Sequence, residues 1–83
     1  MSEENKVKEL LEDIVKAIVD DMDTVKVNIL ETESTSIYEL HVAKEDIGKV
    51  IGKSGRNITA LRIIMAAATS KLGGKRALLE VAD

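Results

Sequence analysis

The spacing of the hydrophobic positions changes along the chain, and each change marks a new kind of element. Near the N-terminus, apolar residues recur every three or four positions, which predicts an amphipathic helix over about residues 3 to 22. The spacing then becomes two around residues 25–29 and 38–42, which predicts two half-buried strands. The polar link 31–36 between them is short enough for a hairpin. The predicted core stripe of the first helix consists of Val7, Leu10, Leu11, Ile14, Ile18 and Met22.

The second half of the chain returns to helical spacing before it alternates once more. Residues 44–51 predict a short helix, with acids in its first turn, that ends at a pair of spaced glycines. The next helix is predicted from the stripe Ile58, Leu61, Met65, Ala68 and Leu72, and we expect Gly73 and Gly74 to form its C-terminal cap. Residues 75–82 predict a last strand with Ala77, Leu79 and Val81 on one side. The fold class is therefore α+β, in the order α-β-β-α-α-β.

Length and composition limit what the protein does. Its 83 residues form a single domain, 1–83, in which roughly 60% of the unfolded chain's surface can be buried. The absence of cysteine and the single histidine exclude disulfides, thiolate metal sites and a Cys/His nucleophile pair. We therefore expect no enzyme activity and no cofactor. The acidic N-terminus does not look like a signal peptide, and no run approaches the ~18 apolar residues of a membrane span, so we expect a cytoplasmic protein without membrane association.

The charge is unevenly distributed between the two halves of the chain. The net charge of −3 argues against nucleic-acid binding, but residues 1–42 carry −7 and residues 43–83 carry +4. Electrostatic potentials act within a Debye length of about 8 Å at physiological salt. An acidic protein can therefore present a basic face, and the spaced glycines lie in the basic half.

Residues 50–58, which read VIGKSGRNI, carry the most specific signal in the chain. Gly52 and Gly55 permit positive φ and a close approach of the backbone to a ligand, while Lys53 and Arg56 place positive charge beside them. The helix start that follows adds unpaired N–H groups and a positive dipole end. Such a turn is suited to holding a phosphate backbone.

The same segment resembles the GXXG signature of K-homology (KH) domains, and the element order resembles their type II arrangement. The small size and the lead-in DIGK at 46–49 are similar to the bacterial KhpA family of single-domain RNA-binding proteins. The resemblance implies a type II KH fold, in which helices cover one face of a three-stranded sheet. It also implies that residues 52–55 clamp the backbone of single-stranded RNA while about four nucleotides lie in a groove.

On this basis we predict the residues of the RNA site. They are Ile51, Gly52, Lys53, Ser54, Gly55, Arg56 and Ile58, with Lys49 and Arg62 as flanking phosphate contacts. In similar domains an edge strand forms the second wall of the groove, which we expect at 38–42. The resemblance further implies a role as an RNA chaperone or post-transcriptional regulator. It also implies a homodimer, or a heterodimer with a KhpB-like KH protein.

Other interpretations of these residues are weaker. The run GKS at 52–54 is similar to the end of a Walker A loop, but that motif needs glycine at position 47, which is isoleucine. His41 is expected on the surface of a strand, and Met22 and Met65 in the core. Because Tyr38 is the only aromatic residue, the base-stacking platforms of RRM or OB-fold sheets cannot be built.

The alternative function is a protein-interaction or scaffold domain in which the KH loop is vestigial. Ile63 motivates it, because this residue lies on the side of the second long helix away from the apolar stripe, near Ala60 and Ala67. We interpret this side as a self-association or partner face. The acidic first helix is the other surface that a scaffold would use.

Overall fold

A computed structural model of the chain describes residues 3–70 and 75–82, so the predicted packing of Leu72 and the cap at Gly73 and Gly74 lie outside the described residues. The α+β class and the order α-β-β-α-α-β are confirmed. The helices are α1 (Glu3–Lys16), α2 (Ile47–Ile51) and α3 (Arg56–Thr69), and the strands are β1 (Lys26–Glu31), β2 (Thr35–His41) and β3 (Arg76–Val81). Short 3₁₀ turns precede β1 at Met22–Thr24 and α2 at Lys44–Asp46. No helix in the described parts of the chain is long and apolar enough to cross a membrane.

The three strands form one sheet in the order β1-β2-β3, with β1 antiparallel and β3 parallel to β2. Tyr38 and Leu40 of β2 are fully buried beneath the helices, whereas the alternating residues Ile37, Glu39 and His41 are half-exposed on the other face. Helices therefore cover one face of the sheet, as predicted. The expected edge strand at 38–42 is wrong, because this segment lies in the central strand and the edges are β1 and β3.

One cluster of buried apolar side chains joins the helices to the sheet. The alternation predicted for the last strand is observed, since Leu79 is buried and Ala77 and Val81 pack against the same core. The stripe of α3 is observed as well, up to Met65 and the partly buried Ala68. The cluster comprises Val7, Leu11, Val15, Val19, Val25, Val27, Tyr38, Leu40, Val50, Ile58, Leu61, Met65 and Leu79.

The first helix differs from its prediction in both length and stripe. It ends at Lys16, six residues before the predicted end at 22. Leu10 and Met22 are 41% and 55% exposed, while Val15 and Val19 enter the core in their place. The segment after the helix is held by a distant carboxylate, described below, which accepts hydrogen bonds from the backbone N–H groups of Asp20 and Asp21.

The hairpin between β1 and β2 is tighter than the predicted six-residue link. The Thr32 N–H donates to the Thr35 carbonyl over 2.8 Å, and the Thr35 N–H donates to Thr32 Oγ1 over 3.0 Å. A threonine hydroxyl thus adds to the backbone hydrogen bond in a link that has no glycine, proline or asparagine.

Candidate nucleic-acid interface

The glycine loop between α2 and α3 has an unusual backbone conformation. Gly52 has φ 77° and ψ 170°, a region that is essentially restricted to glycine, and Gly55 is left-handed with φ 73°. Between them Ser54 has φ 56°, and it is the one non-glycine residue with positive φ in the described parts of the chain. The loop therefore uses its glycines for conformation, as the spacing predicted, and places a strained serine at its outer tip.

The loop itself uses several of its amide groups. The Gly52 N–H donates to the Gly48 carbonyl over 2.8 Å, and the Gly55 N–H donates to the Gly52 carbonyl over 3.1 Å. The Arg56 N–H donates to the Lys53 carbonyl. The amides of Lys53 and Ser54 belong to the two exposed residues at the tip of the loop, the part of it that an anion approaching from solvent meets first.

The predicted site residues divide into an exposed group and a packed group. Lys53, Ser54 and Arg56 are exposed, so the two charges and the hydroxyl face solvent around the loop. Ile58 is buried at 6% exposure, and Ile51 is half-buried against the core. These isoleucines anchor the ends of α2 and α3 beneath the loop.

Lys49 lies on α2, but its ammonium group is already paired. Lys49 Nζ is 3.1 Å from Asp20 Oδ2 and 3.4 Å from Asp46 Oδ1. Hydrogen bonding and charge attraction by Asp20, and then by Asp46, raise the pKa of Lys49. Its charge is therefore balanced within the protein, whereas no ion pair of Lys53 is found among the described residues.

Asp46 is a buried carboxylate that the sequence interpretation did not assign. It is 2% exposed and accepts hydrogen bonds from the backbone N–H groups of Asp21, at 3.0 Å, and Asp20, at 3.3 Å. The hydrogen bond from Asp21 is the main cause that lowers the pKa of Asp46, and Asp20 and Lys49 add to it. Asp46 thus ties the segment after α1 to the start of α2, and so fixes the helix that leads into the loop. The acid just before a short helix was the only signal in the sequence.

Arg62 connects α3 to the open edge of β3. The Arg76 N–H donates to the Ser34 carbonyl, and the Ala82 N–H donates to the Leu40 carbonyl. The even-numbered residues of β3 therefore direct their backbone groups toward β2, and the odd-numbered residues direct theirs away from it. Leu79 belongs to the set that points away, and its carbonyl accepts a hydrogen bond from Arg62 Nη2 at 3.4 Å. The side chain of Arg62 therefore reaches from α3 to the outer edge of β3, which is one of the two edge strands of the sheet.

The electrostatic and aromatic character of the surface agrees with backbone binding. The first turn of α3 contains no acid, and no side chain caps it. Tyr38, the only aromatic residue in the sequence, is fully buried. Its ring is therefore unavailable for stacking, and a nucleic acid must be held by phosphate contacts, apolar contacts and hydrogen bonds.

A second exposed feature lies on α3, away from the core. Ile63 is 66% exposed and Ile64 is 40% exposed, and the neighbouring Ala60 and Ala67 are exposed as well. Ile64, which the sequence interpretation missed, widens the apolar face expected around Ile63. We call these four residues the Ile63 face.

Comparison with known proteins gives consistent matches over most of the chain. A family model described as "KhpA/KhpB, KH domain" matches residues 8–81. Proteins named "RNA-binding protein KhpA" are similar to the chain. That of Borreliella burgdorferi is 44% identical over 75 residues, covering 90% of each chain. That of Clostridium acetobutylicum is 47% identical over 75 residues, covering 90% of this chain and 99% of the relative. That of Aquifex aeolicus is 43% identical over 77 residues, covering 93% and 96%.

Proposed function

The chain belongs to the KhpA/KhpB family of KH domains, and from this premise we propose that it binds single-stranded RNA through the loop at residues 52–55. It acts without catalysis, as an RNA chaperone or post-transcriptional regulator in the bacterial cytoplasm. The observation that carries the proposal is the loop backbone, in which Gly52, Ser54 and Gly55 all have positive φ and the tip residues Lys53 and Ser54 are exposed. The relatives named RNA-binding proteins support the choice of ligand.

In the proposed mechanism the loop tip holds one phosphate group. The amides of Lys53 and Ser54 donate to phosphate oxygens, as the backbone of other anion-binding turns does. The ammonium of Lys53 and the guanidinium of Arg56 add charge, and the uncapped start of α3 adds its positive dipole end. Lys49, which is paired with two carboxylates, contributes less than Lys53.

The groove that receives the bases lies between α3 and the edge of β3. Arg62 is placed there by its hydrogen bond to the Leu79 carbonyl. This bond is long, at 3.4 Å, so an incoming base or phosphate can displace the guanidinium at little cost. Without an exposed aromatic ring, the site binds weakly, and its affinity falls as salt concentration rises.

The test is a double substitution at the loop tip, Lys53→Asp with Ser54→Asp. Carboxylates there repel phosphate, while both glycines and the core remain unchanged. We expect binding to a pool of single-stranded RNA to be lost at low and at moderate salt, with the melting temperature nearly unchanged. The matched control is Lys26→Asp with Ser34→Asp, which makes the same charge change at two exposed residues of β1 and the hairpin. The control should retain most of the affinity.

Two outcomes would contradict the proposal. Retained affinity in the loop variant would remove the loop from the mechanism. A wild-type protein that takes up no RNA at either salt concentration would favour the scaffold function with a vestigial loop.

The Ile63 face supports a further part of the proposal, which concerns partners. We propose that this face associates with a second copy of the chain or with a KhpB-like KH protein. Isoleucines and alanines that are exposed together on one helix favour association with another surface. The face lies on α3, the helix whose first turn borders the RNA loop, so two associated copies would carry two loops on one particle.

Replacing Ile63 with Asp tests the partner face. The side chain is 66% exposed, so the fold should persist, while the measured solution mass should fall to that of one chain. Leu30→Asp is the matched control, because Leu30 is 50% exposed on the open face of the sheet. An oligomeric state that Ile63→Asp leaves unchanged, or that Leu30→Asp disrupts instead, would place the interface elsewhere.

A further inference from the structure

We propose that Asn57 is a positioning residue of the RNA site, whose carboxamide joins α2 to α3 and holds residues 52–55 in their binding conformation. This inference rests on the proposed function and deepens it, because it names a residue outside the GXXG motif that the loop depends on. Three observations carry it: a hydrogen bond, a close packing contact and the strained backbone between them.

The hydrogen bond crosses the base of the loop. Asn57 Nδ2 donates to the carbonyl of Lys49 over 2.8 Å. Lys49 lies in the last turn of α2, and Gly52 leaves the helical conformation before the next turn is made. The last carbonyls of a helix lack intrahelical donors, so the side chain of Asn57 supplies one from the first turn of α3. The two helix ends are thereby linked independently of the loop.

The packing contact shows why position 52 must be glycine beyond its backbone angles. A Cβ atom placed on Gly52 would lie 2.6 Å from Asn57 Cγ and 2.8 Å from both Cβ and Nδ2 of Asn57. The carboxamide therefore rests directly on the glycine backbone. Asn57 and Gly52 fit together as a pair, with the side chain of one filling the space that the other leaves.

The backbone between these contacts needs such support. Ser54 has φ 56°, and Gly52 and Gly55 have φ 77° and 73°. Residues keep such backbone angles when the surrounding structure excludes other backbone conformations. The tip of the loop is exposed, and the amides of Gly55 and Arg56 form turn hydrogen bonds within it. The further contacts that restrict the backbone conformation therefore come from the base of the loop. Asn57 is itself exposed, so this hydrogen bond supports the loop and not the core.

The test compares Asn57→Ala with Asn28→Ala, which removes the same group from the open face of the sheet. Hydrogen exchange without RNA should show the amides of Gly55 and Arg56 exchanging about ten times faster in Asn57→Ala, while amides of β2 keep their rates. RNA affinity should fall roughly 5- to 20-fold because the binding conformation is less populated. Asn57→Ser, whose side chain is too short to reach the Lys49 carbonyl, should behave like Asn57→Ala. Asn28→Ala should change neither measurement.

The two measurements separate the possible failures. Unchanged exchange in the loop would overturn the positioning role, whatever the RNA affinity. Faster exchange of the loop amides with unchanged RNA affinity would show that RNA binding does not require this loop conformation. That result would overturn the role of Asn57 in binding. If the wild-type protein binds no RNA, the proposed function fails and this inference fails with it, although the exchange result still reports whether Asn57 orders the loop.

Discussion

The first turns of the two long helices, α1 and α3, are built in opposite ways. The first turn of α1 contains the acid Glu4 at the positive end of the helix dipole. The first turn of α3 contains no acid, begins with Arg56 and follows Gly55, which supplies no side-chain cap. Acids at a helix start stabilise it, whereas a cation there is unfavourable. In the same small domain, one helix follows the stability rule and the other departs from it.

The contacts around these turns show what each arrangement serves. Glu4 accepts a hydrogen bond from Ser36 Oγ over 2.8 Å, so the start of α1 is tied to the central strand. The start of α3 follows a loop whose tip residues, Lys53 and Ser54, are exposed. Departures from local stability rules are expected at functional sites. The comparison therefore agrees with our proposal that the start of α3 is kept positive for an anion, whereas the start of α1 packs against the sheet.

The largest effect should come from replacing the glycine at the base of the loop. Gly52→Ala forces an unfavourable backbone angle and a contact of 2.6 Å with Asn57, and we expect it to lower the free energy of unfolding by roughly 2–4 kcal/mol. RNA binding should become undetectable, because the tip can no longer keep its conformation. Denaturant unfolding and an RNA titration measure the two effects.

Gly48→Ala is the matched control for this glycine. Gly48 lies inside α2, and a Cβ there would meet nothing within 4 Å. Alanine should therefore be tolerated and should stabilise the domain by up to about 1 kcal/mol, with RNA affinity kept. If Gly48→Ala and Gly52→Ala changed stability and RNA affinity equally, the prediction that position 52 requires glycine would be wrong.

A smaller effect tests the comparison of helix starts directly. Arg56→Glu gives α3 the acidic first turn that α1 already has. The helix dipole then favours the folded state by about 0.3–1 kcal/mol, while RNA affinity should fall roughly tenfold and depend less steeply on salt. Opposite changes in stability and binding from one substitution would show that the site is maintained against stability.

Lys26→Glu separates this local effect from net charge. It makes the same charge change on β1, at an exposed residue on the edge of the sheet opposite β3. We expect less than about a threefold loss of affinity, since salt largely screens exposed charges that are distant from the bound RNA. Equal losses in the two variants would mean that overall charge, and not the start of α3, governs binding.

Local patterns in the sequence were sufficient for most of the fold. The alternation in 75–82 and the stripe through Ile58, Leu61 and Met65 predicted the buried faces of β3 and α3 correctly. The GXXG spacing located the positive φ values at Gly52 and Gly55. In each case the information lies within a few residues, because side-chain periodicity and glycine backbone freedom are local properties.

The predictions that failed depended on partners distant in sequence. The end of α1 is set with the help of the carboxylate of Asp46, which is 25 residues from Asp21. The place of β2 in the centre of the sheet depends on pairing with a strand at the other end of the chain. The pairing of Lys49 with Asp20 has the same character. Periodicity contains no information about such contacts, so the neighbours of the site emerge from the structure alone.

The smallest effect concerns the acids around the start of α1. Interaction with the Glu4 carboxylate, by hydrogen bonding when Glu31 is protonated and by charge, raises the pKa of Glu31, while Glu31 and the Ser36 hydroxyl lower the pKa of Glu4. Because the pKa of Glu31 is raised in the folded protein, its contribution to folding stability is complete below its unfolded pKa of about 4.3. This contribution is lost as the pH rises through the higher folded pKa.

Glu31→Gln keeps an N–H donor toward Glu4 without the second charge, but loses the attraction to Lys75 Nζ, 3.7 Å away. We therefore expect a melting temperature about 1–2 °C higher at pH 7, a flatter profile between pH 4 and 7, and unchanged RNA affinity. A lower melting temperature at pH 7 would mean that the pair with Lys75 outweighs the repulsion, and a change in RNA affinity would mean that this end of α1 is more than structural.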